Sequence, residues 1–229
     1  IGFFKIVSFS GENKVGIGMT SDRTRRRMVD RLRQEGISDE AVLQALSVVP
    51  RHLFVEEALA SRAYDDVSLP IGSGQTISRP LTVARSCELA RAGSPLNRVL
   101  EIGTGCGYQA AVLSRIAKEV YSIERIGTLL SGARIRLRSL KCHNVRVKHA
   151  DGSEALDSLF PLDAIVVAAG ASTLPEHLIE LLVPQGRLII PLGITKQYLT
   201  EVIKLESGYD VKKHEEVSFV PFLSGVVVK

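Results

Sequence analysis

The stretch that decides the fold reads Arg98-Val99-Leu100-Glu101-Ile102-Gly103-Thr104-Gly105-Cys106-Gly107. An apolar strand runs straight into a turn that has glycine at alternate positions. Because glycine lacks a Cβ atom, its backbone can approach a ligand closely. The helix predicted to follow, over Tyr108–Lys118, points the N–H groups of its first turn at that ligand. The stretch therefore predicts a nucleotide pocket in an open α/β fold.

Two residues indicate which nucleotide this pocket accepts. The dinucleotide fingerprint needs a small residue at position 108 for close helix–strand packing, and the chain has Tyr108 there. Glu101 lies two residues before the first glycine, where a carboxylate repels a pyrophosphate and favours a cationic ligand. The stretch thus disfavours a nicotinamide dinucleotide.

Length and charge limit the remaining classes of function. With 229 residues and 45% hydrophobic content, the chain can bury one good core. The net charge is +4, and many of the basic residues are arginines within 23–33. Acidic residues interleave with these arginines and aromatic ones do not, which favours a solvated helix face over nucleic-acid binding.

Cysteine usage and hydropathy indicate the compartment. Cys87, Cys106 and Cys142 have no CxxC spacing, which suits a reducing cytoplasm better than disulfides or zinc. The five histidines also lack metal-ligand spacing, so we predict no metal site. No stretch approaches the roughly 18 apolar residues of a membrane span, and the N-terminus lacks a signal-peptide pattern. We therefore expect a soluble cytoplasmic protein with no membrane contact.

The chain divides into an N-terminal part and an alternating α/β part. Residues 1–18 have no pattern and precede Met19, so we expect an extension or a non-native segment there. Residues 19–229 are predicted to form one domain, with a helical cap and substrate loop over 19–95 and a cofactor-binding core over 96–229. The fold class is α/β, a doubly wound and mostly parallel sheet with an N-terminal helical cap.

Within the cap the sequence predicts helices separated by one long loop. A helix over Asp22–Glu35 is followed by one that Ser38 caps and Pro50 stops. The segment Arg51–Arg62 is predicted to be a short helix. Leu69–Ser78 is predicted to be a loop, and the next helix begins at Arg79-Pro80.

The core alternates strands and helices. Predicted helices cover Thr128–Leu140 and the residues from Pro175 to Leu182, and the predicted strands are Val99–Ile102, Val120–Ile123, Val145–Lys148, Ala164–Val167, Arg187–Pro191, Leu199–Leu205 and Val217–Phe222. Right-handed crossovers place the loops after the parallel strands at one edge of the sheet. The order of the C-terminal strands stays open.

Two carboxylates that follow predicted strands could accept hydrogen bonds from the ribose and the base of a nucleoside. Glu124 ends the second strand, 23 residues after Glu101, where a ribose diol is gripped in this architecture. Asp151-Gly152 follows the third strand, where a carboxylate can accept from an adenine amino group. With the glycine turn, these acids favour an adenosine ligand that is neutral or cationic and lacks phosphates, which describes S-adenosylmethionine.

The residues then resemble a known family. Val99–Gly107 resembles the first motif of Rossmann-like S-adenosylmethionine-dependent methyltransferases. The whole chain from about Met19 resembles the protein-L-isoaspartate O-methyltransferases through the following segments: Pro50–Val55, Tyr64–Asp66, Leu69–Pro80, Leu100–Gln109, Glu124-Arg125, Asn144-Val145, Asp151-Gly152, Phe160–Ile165 and Val220-Pro221.

This resemblance implies an activity and a site. The family methylates the free α-carboxylate of L-isoaspartyl residues in damaged proteins and peptides, and the ester then cyclises to a succinimide. Ser78, in the Thr76-Ile77-Ser78 loop, matches the family's catalytic serine and also touches the substrate. The residues expected to bind S-adenosyl-L-methionine are Gln75, Thr76, Ile77, Glu101, Gly103, Thr104, Gly105, Gly107, Glu124, Arg125, Asp151 and Gly152. Asp66, Ala168 and Val220 are expected on the substrate side. The family also implies a monomer.

Several alternatives remain open at this stage. Ser78 could cap the helix at Arg79-Pro80, and Asp66 could be a turn-forming aspartate. A methyltransferase of the same fold could act on a small molecule or a nucleic acid, although Ala168-Ala169-Gly170 lacks the Asn/Asp-Pro-Pro-aromatic pattern of amino-methylating DNA enzymes. The domain could also bind the cofactor without turnover.

Overall fold

The computed structural model describes residues 18–152 and 161–228. The predicted extension, residues 1–18, lies outside the described residues except for Gly18. No helix in the described part of the chain is both long and apolar enough to cross a bilayer.

The first two helices of the cap form as predicted, with one correction at a helix start. Helices α1 (Asp22–Gln34) and α2 (Glu40–Val48) are connected by a short turn. Asp39, and not Ser38, caps α2, because its Oδ1 accepts from the N–H groups of the second and third residues of the helix at 2.9 and 3.2 Å. The Ser38 hydroxyl instead donates to Glu88, which lies on a later helix.

The segment after α2 also differs in detail. In place of one helix, two short 3₁₀ helices cover Arg51–Phe54 and Glu57–Arg62. The predicted loop over Leu69–Ser78 is wrong, because it contains an antiparallel hairpin of β1 (Leu69–Gly72) and β2 (Gln75–Ile77). The turn residues Ser73 and Gly74 both have positive φ, 52° and 68°, as a tight hairpin requires.

The remaining helices begin close to their predicted positions. Helix α3 (Pro80–Arg91) has its proline in the first turn, where the missing N–H costs nothing. Helix α4 (Tyr108–Leu113) is shorter than predicted, because the next strand already begins at Ala117. Helices α5 (Gly127–Ser139) and α6 (Glu176–Glu180) follow, and α6 ends two residues before the predicted Leu182, where the next strand begins.

A seven-stranded sheet forms the centre of the molecule. Its strands are β3 (Leu96–Ile102), β4 (Ala117–Glu124), β5 (Val145–His149), β6 (Leu162–Val167), β7 (Leu182–Leu192), β8 (Gln197–Lys204) and β9 (Tyr209–Val217). The order is β5-β4-β3-β6-β7-β8-β9, with β8 antiparallel to both of its neighbours and every other pair parallel. The prediction of a doubly wound, mostly parallel sheet is confirmed.

The sheet positions the functional edge. Strand β3 pairs with β4 on one side and with β6 on the other, so the order of the strands in the sheet reverses at β3. Apolar side chains are buried on both faces of β3, with Val99 in one core cluster and Leu100 in the other. A ligand crevice is expected where the strand order reverses, and the glycine turn lies there.

The end of the chain departs from the prediction. The last strand is β9, which ends at Val217 and does not cover Val217–Phe222. Residues 218–228 instead leave the sheet and run across its carboxyl edge; we call them the C-terminal strap. Pro221 has no N–H to donate to a strand ladder, which is one reason why pairing stops.

Candidate active site

The glycine turn after β3 forms the floor of a cleft. Gly103 and Gly105 have φ of 96° and 55°, in the left-handed region that favours glycine. A Cβ atom would lie 3.3 Å from the Cβ of Ala168 at Gly103, and 3.2 Å from Ile71 at Gly105. Glycine at both positions therefore keeps the turn close to its neighbours and leaves the cleft open.

Gly107 has a different role. It precedes α4 with φ of 92°, and a Cβ atom there would lie 3.3 Å from the Cβ of Ala133 on α5. Gly107 is not among the residues that line the cleft. Its absent side chain allows the turn to pack against α5, so in this structure it contacts a helix.

Most of the predicted site residues converge on this cleft. It is lined by Gln75, Thr76, Ile77, Ser78, Gly103, Thr104, Gly105, Glu124, Arg125, Gly152, Ala168 and Val220. They come from the hairpin, the glycine turn, the ends of β4, β5 and β6, and the C-terminal strap. Glu101, Gly107, Asp151 and Asp66 were predicted with them but lie outside the lining.

Glu124 is prepared to bind hydroxyl groups. Its two carboxylate oxygens accept from the backbone N–H groups of Gly105, at 2.7 Å, and Ile126, at 2.9 Å. The residue is only 4% exposed and still lines the cleft. Because each carboxylate oxygen has two acceptor positions, both retain one for a ligand.

Glu101 lies beneath the turn instead of in the cleft. Its side chain is fully buried, and its Oε2 accepts a hydrogen bond from Ser122 on β4. Its Oε1 is buried without a hydrogen-bond partner among the described residues. Burial raises the pKa of Glu101 to about 8, and the hydrogen bond from Ser122 together with the nearby Gln109 amide opposes this shift.

Ser78 faces the cleft from the hairpin side. It is half-buried, and in the described residues its hydroxyl takes part in no hydrogen bond. It does not cap α3, because the N-cap residue is Arg79. A hydroxyl in this position is available to a ligand.

Asp66 supports the start of α3. Its Oδ1 accepts from the Leu81 N–H at 2.9 Å, and its Oδ2 accepts from Arg79 at 3.4 Å. This carboxylate fills the capping role that was left open for Ser78. Asp66 therefore holds the segment that carries Ser78.

The C-terminal strap is anchored at its far end. Arg125 donates to the carbonyl groups of Gly225, at 2.8 Å, and Ser224, at 3.3 Å. Asp151 accepts from the Gly225 N–H. His149 Nε2 lies 3.2 Å from the carbonyl oxygen of Val227. Two predicted cofactor residues, Arg125 and Asp151, thus hold the strap in this structure.

Sequence reasoning missed part of the lining. The strap contributes Ser218, Phe219, Pro221, Phe222 and Leu223, and the hairpin and α4 contribute Ile71, Tyr108 and Gln109. The break in strand pattern at Pro221 and Gly225 was the available signal for the strap. Nothing local in the sequence indicates that these residues return to the glycine turn.

Comparison with known proteins identifies the family. The family model described as Protein-L-isoaspartate(D-aspartate) O-methyltransferase matches residues 23–227. This chain belongs to that family. The matched region contains every residue that lines the cleft.

Individual members of the isoaspartate O-methyltransferase family are similar over nearly the whole chain. The protein-L-isoaspartate O-methyltransferase of Methylobacillus flagellatus is 57% identical over 214 residues, which cover 92% of this chain and 96% of that protein. The corresponding protein of Dechloromonas aromatica is 54% identical over 211 residues, covering 92% and 98%.

Solved structures of the family share the fold. One from Plasmodium falciparum, in complex with S-adenosyl-L-homocysteine, has a TM-score of 0.74 and 26% identity over 87% of this chain and 98% of its own. Another protein-L-isoaspartate O-methyltransferase has a TM-score of 0.79 and 27% identity over 88% and 67%.

Proposed function

We propose that this protein transfers a methyl group from S-adenosyl-L-methionine to the α-carboxylate of L-isoaspartyl residues in damaged proteins and peptides. The observation that carries the proposal is that Ser78 and the glycine turn line one cleft, in a chain of this family. The methyl ester then cyclises to a succinimide without further catalysis.

The residues present fit the methyl donor. The cleft has a floor that Cβ atoms at Gly103 and Gly105 would narrow, and Glu124 retains acceptor positions for ribose hydroxyls. Gln75, Thr76 and Ile77 from the hairpin, and Thr104, Arg125 and Gly152, border the same space. When bound, the donor supplies a methyl group already activated by its sulfonium.

Gly152 allows the chain that follows β5 to pass close to Ile102, the last residue of β3. A Cβ atom there would lie 2.3 Å from Cγ2 of Ile102, so any larger residue would force the Ile102 side chain or the backbone to move. The residue lines the cleft, so the absence of a side chain also widens the site. We propose that Gly152 offers its backbone to the donor, and that Asp151 contributes by holding the C-terminal strap.

The chemical demand on the protein is modest. An isoaspartyl carboxylate has a reference pKa near 4 and is already ionised at neutral pH, so no general base is needed. The protein must hold the carboxylate oxygen in line with the methyl group and exclude water. Positioning of this kind contributes roughly 7–11 kcal/mol when the geometry is ideal. We propose that the Ser78 hydroxyl donates one hydrogen bond that orients the carboxylate.

The substrate side is lined by small or apolar groups. Ala168, which follows β6, and Val220 of the strap line the same cleft as Ser78. The Gly170 N–H donates to the Val220 carbonyl at 2.8 Å, which fixes the strap against the β6 edge. We propose that an extended peptide lies over these residues, and that Asp66 acts indirectly by supporting the start of α3.

We also propose that the protein works as a cytoplasmic monomer, with residues 19–229 as its catalytic domain. Support for a reducing compartment comes from Cys87, Cys106 and Cys142, which are all buried free thiols. Sedimentation of the purified protein at micromolar concentration tests the oligomeric state.

A pair of peptides tests the proposed activity. One contains an L-isoaspartyl residue and the other an aspartyl residue in the same sequence, and both are incubated with the enzyme and methyl-labelled S-adenosyl-L-methionine. We expect label only in the isoaspartyl peptide, because the two differ in where the free α-carboxylate lies. Equal labelling of both peptides contradicts the proposal.

A further inference from the structure

Two buried side chains, Ser122 and Thr104, connect Glu101 to the cleft. Glu101 on β3 lies directly opposite Ser122 on β4 in the strand register, and the Ser122 hydroxyl donates to Glu101 Oε2. The same Ser122 oxygen lies 2.6 Å from the Thr104 hydroxyl. Glu101 and Ser122 are fully buried, and Thr104 is 4% exposed and lines the cleft.

The hydrogen bonds that join Glu101, Ser122 and Thr104 must all point in the same direction. Each hydroxyl has one hydrogen to donate. When Glu101 is ionised it can only accept, so Ser122 donates to it and Thr104 must donate to Ser122. Thr104 then presents only lone pairs to the cleft.

Protonation of Glu101 on Oε2 reverses the direction of these hydrogen bonds. Glu101 then donates to Ser122, Ser122 donates to Thr104, and the Thr104 hydrogen becomes free to point into the cleft. A proton on Oε2 can be shared with Ser122, whereas Oε1 has no hydrogen-bond partner among the described residues. The two states therefore present opposite polarity to a ligand beside Thr104.

The surroundings keep the two states close in energy near neutral pH. Desolvation by burial raises the pKa of Glu101 to about 8, and the nearby Glu124 adds to this, whereas Ser122 and the Gln109 amide of α4 favour the ionised form. The other groups that face it are Cys87 from α3, Cys106 from the turn and the apolar Val166 of β6. Burial raises the pKa of the Cys106 thiol to about 11, so it stays neutral over this range.

We propose that Glu101 is a positioning residue for the methyl donor: its proton, relayed through Ser122, sets the direction in which the Thr104 hydroxyl faces the cleft. This inference rests on the proposed function, because it concerns the same cleft. In this proposal the sulfonium lies beside Thr104, where its positive charge favours the Thr104 lone pairs and hence the ionised carboxylate. Binding of the donor therefore releases the proton of Glu101 to solvent.

The sign of the pH dependence follows. Below about pH 8 the carboxyl group of the free protein is protonated, and a ligand that selects the ionised form must displace the proton. Donor affinity should rise with pH, by at most about tenfold per pH unit, and become constant above about pH 8. S-adenosyl-L-homocysteine, which lacks the sulfonium charge, should show a smaller dependence.

Isothermal titration calorimetry measures the proton release that the proposal predicts, without an assay of methyl transfer. Each ligand is titrated at pH 7 in two buffers that differ in ionisation enthalpy, which gives the number of protons released. For S-adenosyl-L-methionine we expect the wild type to release a large fraction of one proton, Glu101→Gln to release almost none, and Thr104→Val to release less than half of the wild-type value.

A second buried threonine, on β8, provides the matched control. Thr200→Val removes a buried threonine hydroxyl on β8, which donates to the Tyr198 carbonyl at 3.0 Å, and this variant should release as many protons as the wild type. Unchanged release in Glu101→Gln, or in Thr104→Val, overturns the relay. If the wild type binds neither ligand, the proposed function itself fails. Thermal unfolding without ligand shows whether each variant is folded.

Discussion

At the scale of single residues, burial decides what each polar group of the cleft can do. Glu101 and Glu124 are both carboxylates that the sequence predicts in, or at the end of, a strand. Glu124 lies at a strand end, where backbone N–H groups and the cleft share its oxygens. Glu101 lies inside β3 and points into the core, where desolvation favours its neutral form. Position along the strand therefore separates their roles.

The Ser78 hydroxyl provides the most direct test at this scale. We expect Ser78→Ala to lower kcat/KM for an isoaspartyl peptide by about 10- to 100-fold, because a hydrogen bond to a charged group contributes about 1.5–3 kcal/mol. The affinity for the methyl donor should change little. Initial rates and a donor-binding titration measure both quantities.

A second serine of the same hairpin is the control. Ser73 lies at the exposed turn and does not line the cleft. Ser73→Ala should keep the wild-type rate. A full rate in Ser78→Ala would show that the hydroxyl does not orient the substrate, while leaving the family assignment intact.

At the scale of elements, the strand-end acids and the glycine turn were predictable, and the C-terminal strap was not. An apolar run and a glycine turn act locally, so β3 ends at Ile102 and α4 begins at Tyr108 as the sequence predicts, although β3 begins three residues before the predicted Val99. The strap is held by contacts between residues about 75 to 100 positions apart, such as the bonds from Arg125 and Asp151. A pattern in a short window contains no information about such contacts.

Anchoring of the strap can be tested by hydrogen exchange. Arg125→Ala removes two hydrogen bonds to carbonyl groups at Ser224 and Gly225. At about 1 kcal/mol for each bond, we expect amide exchange in residues 218–228 to accelerate by roughly tenfold or more. Mass spectrometry of peptides from this region measures the change.

An arginine on α5 is the matched control. Arg134 also donates to a backbone carbonyl, that of Val147, which is not part of the strap. Arg134→Ala should leave exchange in residues 218–228 unchanged. Equal exchange in Arg125→Ala and the wild type would mean that the other anchors hold the strap alone.

At the scale of the whole molecule, the cap and the sheet share one core. A single cluster of buried apolar residues includes Leu32 and Phe54 of the cap together with Val99 and Val120 of the sheet. Arg51 reinforces this junction: its Nε donates to the Ala63 carbonyl at 2.8 Å, and its guanidinium lies 4.8 Å from the centre of the Tyr108 ring. Burial lowers the pKa of Arg51.

Loss of Arg51 should therefore weaken the whole domain. Arg51→Ala leaves a cavity and an unpaired carbonyl group, so we expect the free energy of unfolding to fall by about 3 kcal/mol. Far-ultraviolet and tyrosine near-ultraviolet circular dichroism should give coincident transitions, because cap and sheet unfold together.

The exposed Arg62 is the control for this variant. It makes an exposed ion pair with Asp65 at 3.9 Å, so Arg62→Ala should change stability by less than about 0.5 kcal/mol. A separate early transition of the cap in either variant would contradict a single cooperative unit.

The fold class, the glycine turn and the carboxylate at Glu124 could be predicted from the sequence. The alternation of strands with helices, the spacing of glycines and acids at strand ends are all local patterns. The sequence also marked Ser78 through the resemblance of the hairpin segment. Only the tertiary structure decided that Asp66 supports α3, that Gly107 packs against α5, and that Glu101 is a buried group linked to Thr104. Those roles depend on which distant segments pack together, and packing is set by the whole chain.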